Sequence, residues 1–323
     1  MKKLLWIPLI IILLVFYFLN IYNFLSDSHP VKADVLVVEG WLPPESLDKA
    51  IEEFNSSNYK LIATTGVPLS PEFRMPFSGY LIFNFQKALL IANQGKFSID
   101  VNAMGTPVDG KFAEMKFYVN DSLAFETETT EDLKTYSFEF ATDTIYNVAI
   151  WFPNDGKTNE EDRDLIVNDI AINGNKYLPR SENVIYDRGK RGGDDIYSAN
   201  FATVADEAAL ILQKKGIPSD KIVAIPTDEM DINRTSNSAL AFGNWLSSYA
   251  GKASLSGINV ISLGTHSRRS WVLFEKNIEE NIPVGIISLK SPFTPDENWW
   301  KSPNEAKRVL IESVKYVYTK VFL

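Results

Sequence analysis

The hydrophobic period changes twice along this chain, and that change limits its fold more than any single motif does. Asp34-Val-Leu-Val-Val38 is an unbroken apolar run, which predicts a strand covered on both faces. Pro44 and Glu45 suit the first turn of a helix running to about Phe54, with Leu47, Ala50, Ile51 and Phe54 on one side. A second strand follows from Tyr59 to Thr65. Strand, helix and strand at this spacing make a βαβ unit and therefore a parallel sheet. From about Lys96 to Pro179 the period becomes two. Phe97, Ile99 and Val101 alternate with polar residues, as do Met115, Phe117 and Val119, and Tyr136, Phe138 and Phe140. Val148 to Phe152 and Ile166 to Ile172 continue the series, divided by Asp109-Gly110, Asn120-Asp121, Asn154-Asp155-Gly156 and Asn173-Gly174. Short alternating strands at this spacing predict an antiparallel β-sandwich.

Helical and parallel-strand patterns return near Asn200. Ala202 to Lys215 and Thr235 to Tyr249 are expected as helices, with strands at Ile222–Ile225, Ile258–Leu263 and Ile286–Leu289. Val309, Leu310, Val314, Val317 and Val321 trace the expected inner face of a terminal helix. Tyr80 to Ala92 is read as a helix packing between the two parts. The expected fold class is α/β. A Rossmann-like parallel-sheet domain, residues 33–93 and 181–323, is interrupted by an antiparallel β-sandwich insert, residues 96–180.

At the amino terminus, Lys2 and Lys3 precede an apolar run from Leu4 to about Leu25. About 20 apolar residues are enough for a helix to cross a bilayer, and lysines ahead of the span keep the amino terminus in the cytoplasm. Residues 1–26 are therefore expected as a single transmembrane anchor, with a cleaved signal peptide as the competing reading. The main body then lies outside the bacterial cytoplasmic membrane, in the periplasm or beyond.

The formal net charge of −9 and the lack of a basic stripe exclude a nucleic-acid binder. The chain has no cysteine and two histidines, His29 and His266. That removes disulfides, thiolate metal sites, cysteine nucleophiles and zinc sites built on several histidines.

The densest chemistry follows the strand 258–263. Gly264 breaks it, and Thr265, His266, Ser267, Arg268 and Arg269 crowd the turn into the next helix. Ligands bind beyond the carboxyl ends of strands in open α/β sheets, and a hydroxyl, an imidazole and two guanidiniums there suit an anion, phosphate or carboxylate. The same rule brings Glu39, Thr65, Arg234, Thr235 and Asn237 towards that edge. Glu39 fits a general base, His266 a proton donor and Arg269 an anion clamp. The simpler reading makes Ser267 and Thr235 helix caps and the arginines solvated. Successive helix residues point about 100° apart, so Arg268 and Arg269 cannot both face one ligand. No Walker loop, G-x-G-x-x-G or G-x-S-x-G elbow occurs.

Glu39-Gly-Trp-Leu-Pro43, Thr64-Thr-Gly66, Glu207-Ala-Ala-Leu210, Gly216-Ile-Pro218, Arg234-Thr-Ser-Asn-Ser-Ala239 and Gly264-Thr-His-Ser-Arg-Arg269 resemble the SanA/ElyC/YdcF-like family, over roughly residues 33–75 and 185–290. The resemblance implies a cell-envelope protein whose α/β domain handles an anionic, phosphate-bearing glycan or lipid-linked precursor. On that implication Glu39, His266 and Arg269 are the catalytic candidates of a hydrolase or transferase. Gly40, Thr65, Gly66, Arg234, Thr235, Asn237, Thr265 and Arg268 are the substrate-binding candidates. The alternative is a non-catalytic surface polysaccharide-binding protein. Ile150-Trp-Phe-Pro-Asn-Asp155, Glu161-Asp-Arg-Asp-Leu165 and Val167-Asn-Asp-Ile-Ala-Ile-Asn-Gly174 resemble a calcium-dependent, xylan-binding carbohydrate-binding module. That resemblance implies a Ca2+ site with carboxylates from Asp155 and Asp162 and a contribution from Glu161, with Asp164 where the family has asparagine. It also implies a polysaccharide partner. Calcium takes about six to eight oxygen ligands, and Asn154, Asn159 and Glu160 enrich the same loop in them. A solvated acidic turn is the plain alternative.

Overall fold

The computed structural model describes residues 16–18, 20–90, 95–158, 161–189, 192, 196–228, 233–279, 281–290 and 296–323. The chain divides into two compact units. One holds the residues up to Leu69 together with Ala202–Leu323, and the other is Ser70–Phe201.

In the first unit, β1 (Val35–Glu39), β2 (Leu61–Gly66), β16 (Ile222–Pro226), β17 (Ile258–Leu263) and β18 (Val284–Leu289) form one sheet. Its order is β16-β2-β1-β17-β18 and every pairing is parallel. Each face is covered, which is why β1 is apolar along its length up to Glu39. On one face Val35, Val37, Ala63 and Val260 pack with Phe242 of α3 (Arg234–Ser248) and Leu273 and Phe274 of α4 (Ser267–Asn277). On the other, Leu36, Val38, Ile62 and Ile261 pack with Leu47 and Phe54 of α1 (Pro44–Ser56) and Leu212 of α2 (Val204–Lys214). The sheet grows from β1 in one direction through β2 and β16 and in the other through β17 and β18. The ends of β1 and β17 therefore flank the point where the direction of growth reverses, and a crevice opens there in sheets of this kind. Gly40, just past β1, donates its N–H to the Thr65 carbonyl at 2.7 Å, and a Cβ there would lie 2.7 Å from the Val204 carbonyl oxygen. Only glycine fits so close an approach.

The second unit contains β3 (Phe73–Met75) to β15 (Ile196–Ser198), and all its pairings are antiparallel. One sheet runs β15, β14 (Val184–Arg188), β4 (Gly79–Leu90), β9 (Thr144–Phe152), β6 (Glu114–Val119) and β7 (Ser122–Glu128), and another β13 (Asn175–Tyr177), β12 (Leu165–Ile172), β5 (Phe97–Gly105) and β8 (Lys134–Phe140), with β3 beside β12. Their inner residues share a core that includes Leu81, Phe97, Phe117, Ile150, Phe152 and Leu165. The turns at Asp109-Gly110, Asn120-Asp121 and Asn173-Gly174 take positive φ, the conformation those residue types tolerate best.

The expected fold class is corrected by this architecture. The chain is mostly sheet, with several antiparallel sheets, so an α/β, Rossmann-like chain behind one transmembrane helix does not describe it. Part of the reason is β4 (Gly79–Leu90), which lies where a helix was expected at Tyr80 to Ala92. Its register with β9 (Thr144–Phe152) shifts between Asn84 and Leu89, and that irregularity hides the period of two. Strands β3, β4, β14 (Val184–Arg188) and β15 extend the antiparallel unit beyond residues 96–180. Among the described residues no helix is long and apolar enough to cross a membrane. Most of the expected 1–26 span lies outside the described residues. Within it, Ile21, Tyr22 and Leu25 are buried against Trp299 and Val309.

The terminal helix, α5 (Pro303–Phe322), reverses its expected orientation. Val309 is buried, but Leu310, Val314, Val317 and Val321 are exposed. Its inner face carries Glu312, Ser313 and Thr319.

Candidate functional site

A cavity of about 710 Å³ opens beyond the ends of β1 and β2, and Glu39, Gly66, Arg234, Thr235, His266 and Arg269 are among its lining residues. His266 is central. Its Nε2 lies 3.2 Å from Thr235 Oγ1 and 3.8 Å from a Glu39 oxygen, and its Nδ1 lies 3.4 Å from Glu312 Oε2. Trp41 packs edge-on against the imidazole at 5.1 Å. Glu39 is 1% exposed and accepts from Ser270 Oγ at 3.1 Å at each oxygen. A buried carboxylate needs such partners.

Arg269 donates from Nε to Glu312 at 2.9 Å, and its Nη2 lies 3.0 Å from His266 Nδ1. Lys315 reaches the second Glu312 oxygen at 3.0 Å. Burial pushes the Glu312 carboxyl up, but hydrogen bonding and charge from His266 and Arg269 outweigh it and hold the group well below the usual range. Arg234 opens α3 after Asn233, which is left-handed and makes no side-chain cap bond. Among the described residues Arg234 has no acidic partner. The first turn of α3 and this guanidinium thus present free positive character to the cavity.

Other candidates sit elsewhere. Arg268 gives its guanidinium to the Phe24 carbonyl and ring and to Asp27 at 2.8 Å, away from the cavity lining. Thr265, Asn237 and Gly40 do not line it. Thr65 pairs in register with Glu39 on the same face of the sheet, and its buried Oγ1 has no partner among the described residues. The capping readings fail: Thr235 bonds His266, and buried Ser267 donates to Ser288 at 2.8 Å. Glu312, Ser270, Trp41 and Lys315 are site residues that the strand-end rule does not reach. The signal available was a glutamate within the apolar period of the terminal helix.

In the second unit, Arg163 builds the acidic loop by donating to the carbonyls of Lys111, Asn154 and Val108 at 2.7 to 2.8 Å. Asp155 lies beyond β9, while Asp162 and Asp164 flank Arg163. Burial raises the Asp164 carboxyl despite Arg74 at 2.5 Å, and Asp162 and Asp155 raise it further. Asp155 is likewise raised by burial and by Asp162. Asp162 pairs with Lys157 at 2.5 Å, and Glu161 accepts the Asp109 N–H at 2.7 Å. Among the described residues no three acidic or histidine side chains are preassembled as a metal cage. Asn159 and Glu160 lie outside them. The Asp164 Oδ1 is buried without a partner among the described residues, and the charges of Asp162 and Asp155 act on it. The three carboxylates are hard-oxygen donors of the kind calcium takes, but among the described residues they do not stand together as a set that could hold the ion. Asp164 joins them as a candidate that the sequence reading treated as a departure.

Residues 98–187 match the family of Ca-dependent, xylan-binding carbohydrate-binding modules, CBM60. A calcium-dependent carbohydrate-binding module is thus found in the second unit. The match lends no support to the SanA/YdcF-like resemblance of the first. No curated protein matches the chain. Among solved structures, the selenomethionine form of vCBM60 is 24% identical over 25% of this chain and 61% of its own, with TM-score 0.21. The vCBM60 complex with galactobiose is 21% identical over 26% and 70%, TM-score 0.22. A PA14 sugar-binding domain from an RTX adhesin is 16% identical over 38% and 52%, TM-score 0.17. The chain spans less than two thirds of the first of these.

Proposed function

We propose that this is an envelope protein, its body on the outer side of a bacterial cytoplasmic membrane, that handles an anionic glycan at the cavity of the first unit while the module holds polysaccharide through calcium. The observation that carries the first part is the meeting of Glu39, Arg234, Thr235, His266 and Arg269 around one cavity. Arg234 and the α3 amino terminus suit a phosphate on a glycan or on a lipid-linked precursor. Glu39 and His266 supply a carboxylate and an imidazole within proton-transfer reach of a bound group, as a hydrolase or transferase needs. Thr235 and Glu312 fix the imidazole. In the module, Asp155, Asp162 and Asp164 are the candidate carboxylates for calcium, which when bound can accept sugar hydroxyls as ligands. Lys2 and Lys3 ahead of the apolar run support the location. The SanA/YdcF-like resemblance agrees with this reading and gives it its substrate class.

A second reading has its own support. Glu312 already occupies Arg269 and His266 as a ligand's anion would, which favours a cavity that binds without turnover. Turnover of undecaprenyl-phosphate-linked sugars by the wild type, Glu39→Gln and His266→Ala separates the two. Loss of turnover in each variant supports the enzyme. Equal rates in all three proteins leave it without support.

A further inference from the structure

Helix α5 is amphipathic in the inverted sense. Glu312, Ser313 and Thr319 face the protein, whereas Val314 is 69% and Val317 57% exposed, in line with Leu310 and Val321. With Ile311 and Phe322, these side chains span an arc of roughly 140° at about 100° per residue. Cations border the arc: Lys320 on one side, Lys315 and Arg308 on the other, these two paired with Glu312 and Glu305, with Lys307 at its amino-terminal end. Lys307 and Lys320 are exposed and have no acidic partner among the described residues.

The apolar surface does not stop at α5. Phe24 packs edge-on against Tyr316 at 5.3 Å, and Phe18 lies 4.8 Å from Trp299 and 6.2 Å from Trp300. Phe16, Tyr17, Phe18, Phe24 and Trp300 are all exposed. The chain reaches Phe16 from a sequence that carries no charge between Leu4 and Val15. A soluble surface seldom leaves so large an apolar patch bare. An apolar stripe bordered by lysines and one arginine, with tyrosine and tryptophan beside it, matches the surface of an anionic bilayer, whose phosphates take the free cations while the acyl boundary takes the stripe.

We propose that the exposed face of α5 lies on the surface of an anionic lipid bilayer, in the plane of its headgroups. The inference does not depend on what the cavity binds, and its test contains no glycan.

Because the chain has no cysteine, Val317→Cys in the full chain gives one site for an environment-sensitive fluorophore, and Lys134→Cys gives a control in the other unit. Vesicles of equal parts phosphatidylglycerol and phosphatidylethanolamine should shift the emission at 317 to the blue, with quenching by doxyl-labelled lipid, and leave 134 unchanged. The double variant Lys307→Glu, Lys320→Glu should weaken the vesicle affinity at 317 about tenfold or more. A label at 317 that ignores vesicles while the protein floats with them would overturn the proposal. So would an equal shift on pure phosphatidylcholine. A blue shift without lipid that grows with protein concentration would instead assign the face to a second copy, and a concentration-independent one to residues 1–15.

Discussion

At the cavity of the first unit Glu312 lies 2.9 Å from Arg269, 3.0 Å from Lys315 and 3.4 Å from His266. In the acidic loop of the second unit burial, with the neighbouring Asp162 charge, raises the Asp155 and Asp164 carboxyls instead, although Arg74 pairs with Asp164 and Lys157 with Asp162. The cavity satisfies its buried charge from within, so the Glu312 carboxyl is held low. In the loop, burial outweighs the cations that pair there, so the Asp155 and Asp164 carboxyls are pushed up. A cation beside raised carboxyls would favour their charged form, whereas the Glu312 network already holds its carboxylate charged from within. The module is therefore the part whose stability an added cation should change.

The largest expected effect breaks the self-paired side. Glu312→Gln should cost the first unit about 3 kcal/mol or more, because Arg269 and His266 keep their buried positions without their carboxylate. Denaturant unfolding followed by tryptophan fluorescence measures it, and the change should spare the module's own transition. Next comes calcium. At a free concentration about a hundred times its Kd, it should stabilise the module by about 2.7 kcal/mol. Calorimetry before and after chelation reads that gain, and Asp162→Asn should abolish it.

Acid sharpens the contrast because the signs oppose. The folded-state pKa of Glu312 is lowered, so its contribution is present above the ordinary glutamate range and lost as the pH falls towards the folded value. The folded-state pKa of Asp164 is raised, so the calcium-free loop is least favourable once the pH rises above that value and improves on acidification. Mild acid should therefore strengthen the calcium-free loop, and acid below the ordinary glutamate range should weaken the first unit. Unfolding curves recorded from neutral pH to about pH 2.5 check both directions. The smallest effect is Thr65→Val. Removing a buried hydroxyl with no partner should stabilise the first unit by about 1 kcal/mol, and a fall in glycan affinity in the same variant would show that the hydroxyl serves the cavity.

The residues that meet at the cavity were readable where they follow strands. Glu39 and His266 end apolar runs, and in a parallel sheet such ends share one edge. Glu312 was not readable. A helical period reveals a stripe, but not which side of the helix meets the protein, and in α5 the stripe with the more apolar residues is the exposed one. Arg268 and Arg269 are adjacent in sequence, yet one is taken by Phe24 and Asp27 and the other by Glu312, a division set by partners more than 40 residues away in the chain. In the module the turns were legible from Asn and Asp before Gly, whereas the irregular pairing of β4 concealed a strand. The loop's acids were legible as a group. The arginine that positions them, Arg163, was not, because two of its carbonyl partners, Val108 and Lys111, lie in a turn more than 50 residues earlier in the chain.

Titration of xylan into the full chain by calorimetry, once with calcium and once after chelation, tests most directly whether the acidic loop is the seat of sugar binding. Heat of binding should appear with calcium, vanish with chelator, and be absent in Asp155→Asn with Asp162→Asn under either condition. Binding of equal strength with and without the ion, or undiminished in the double variant, would contradict it.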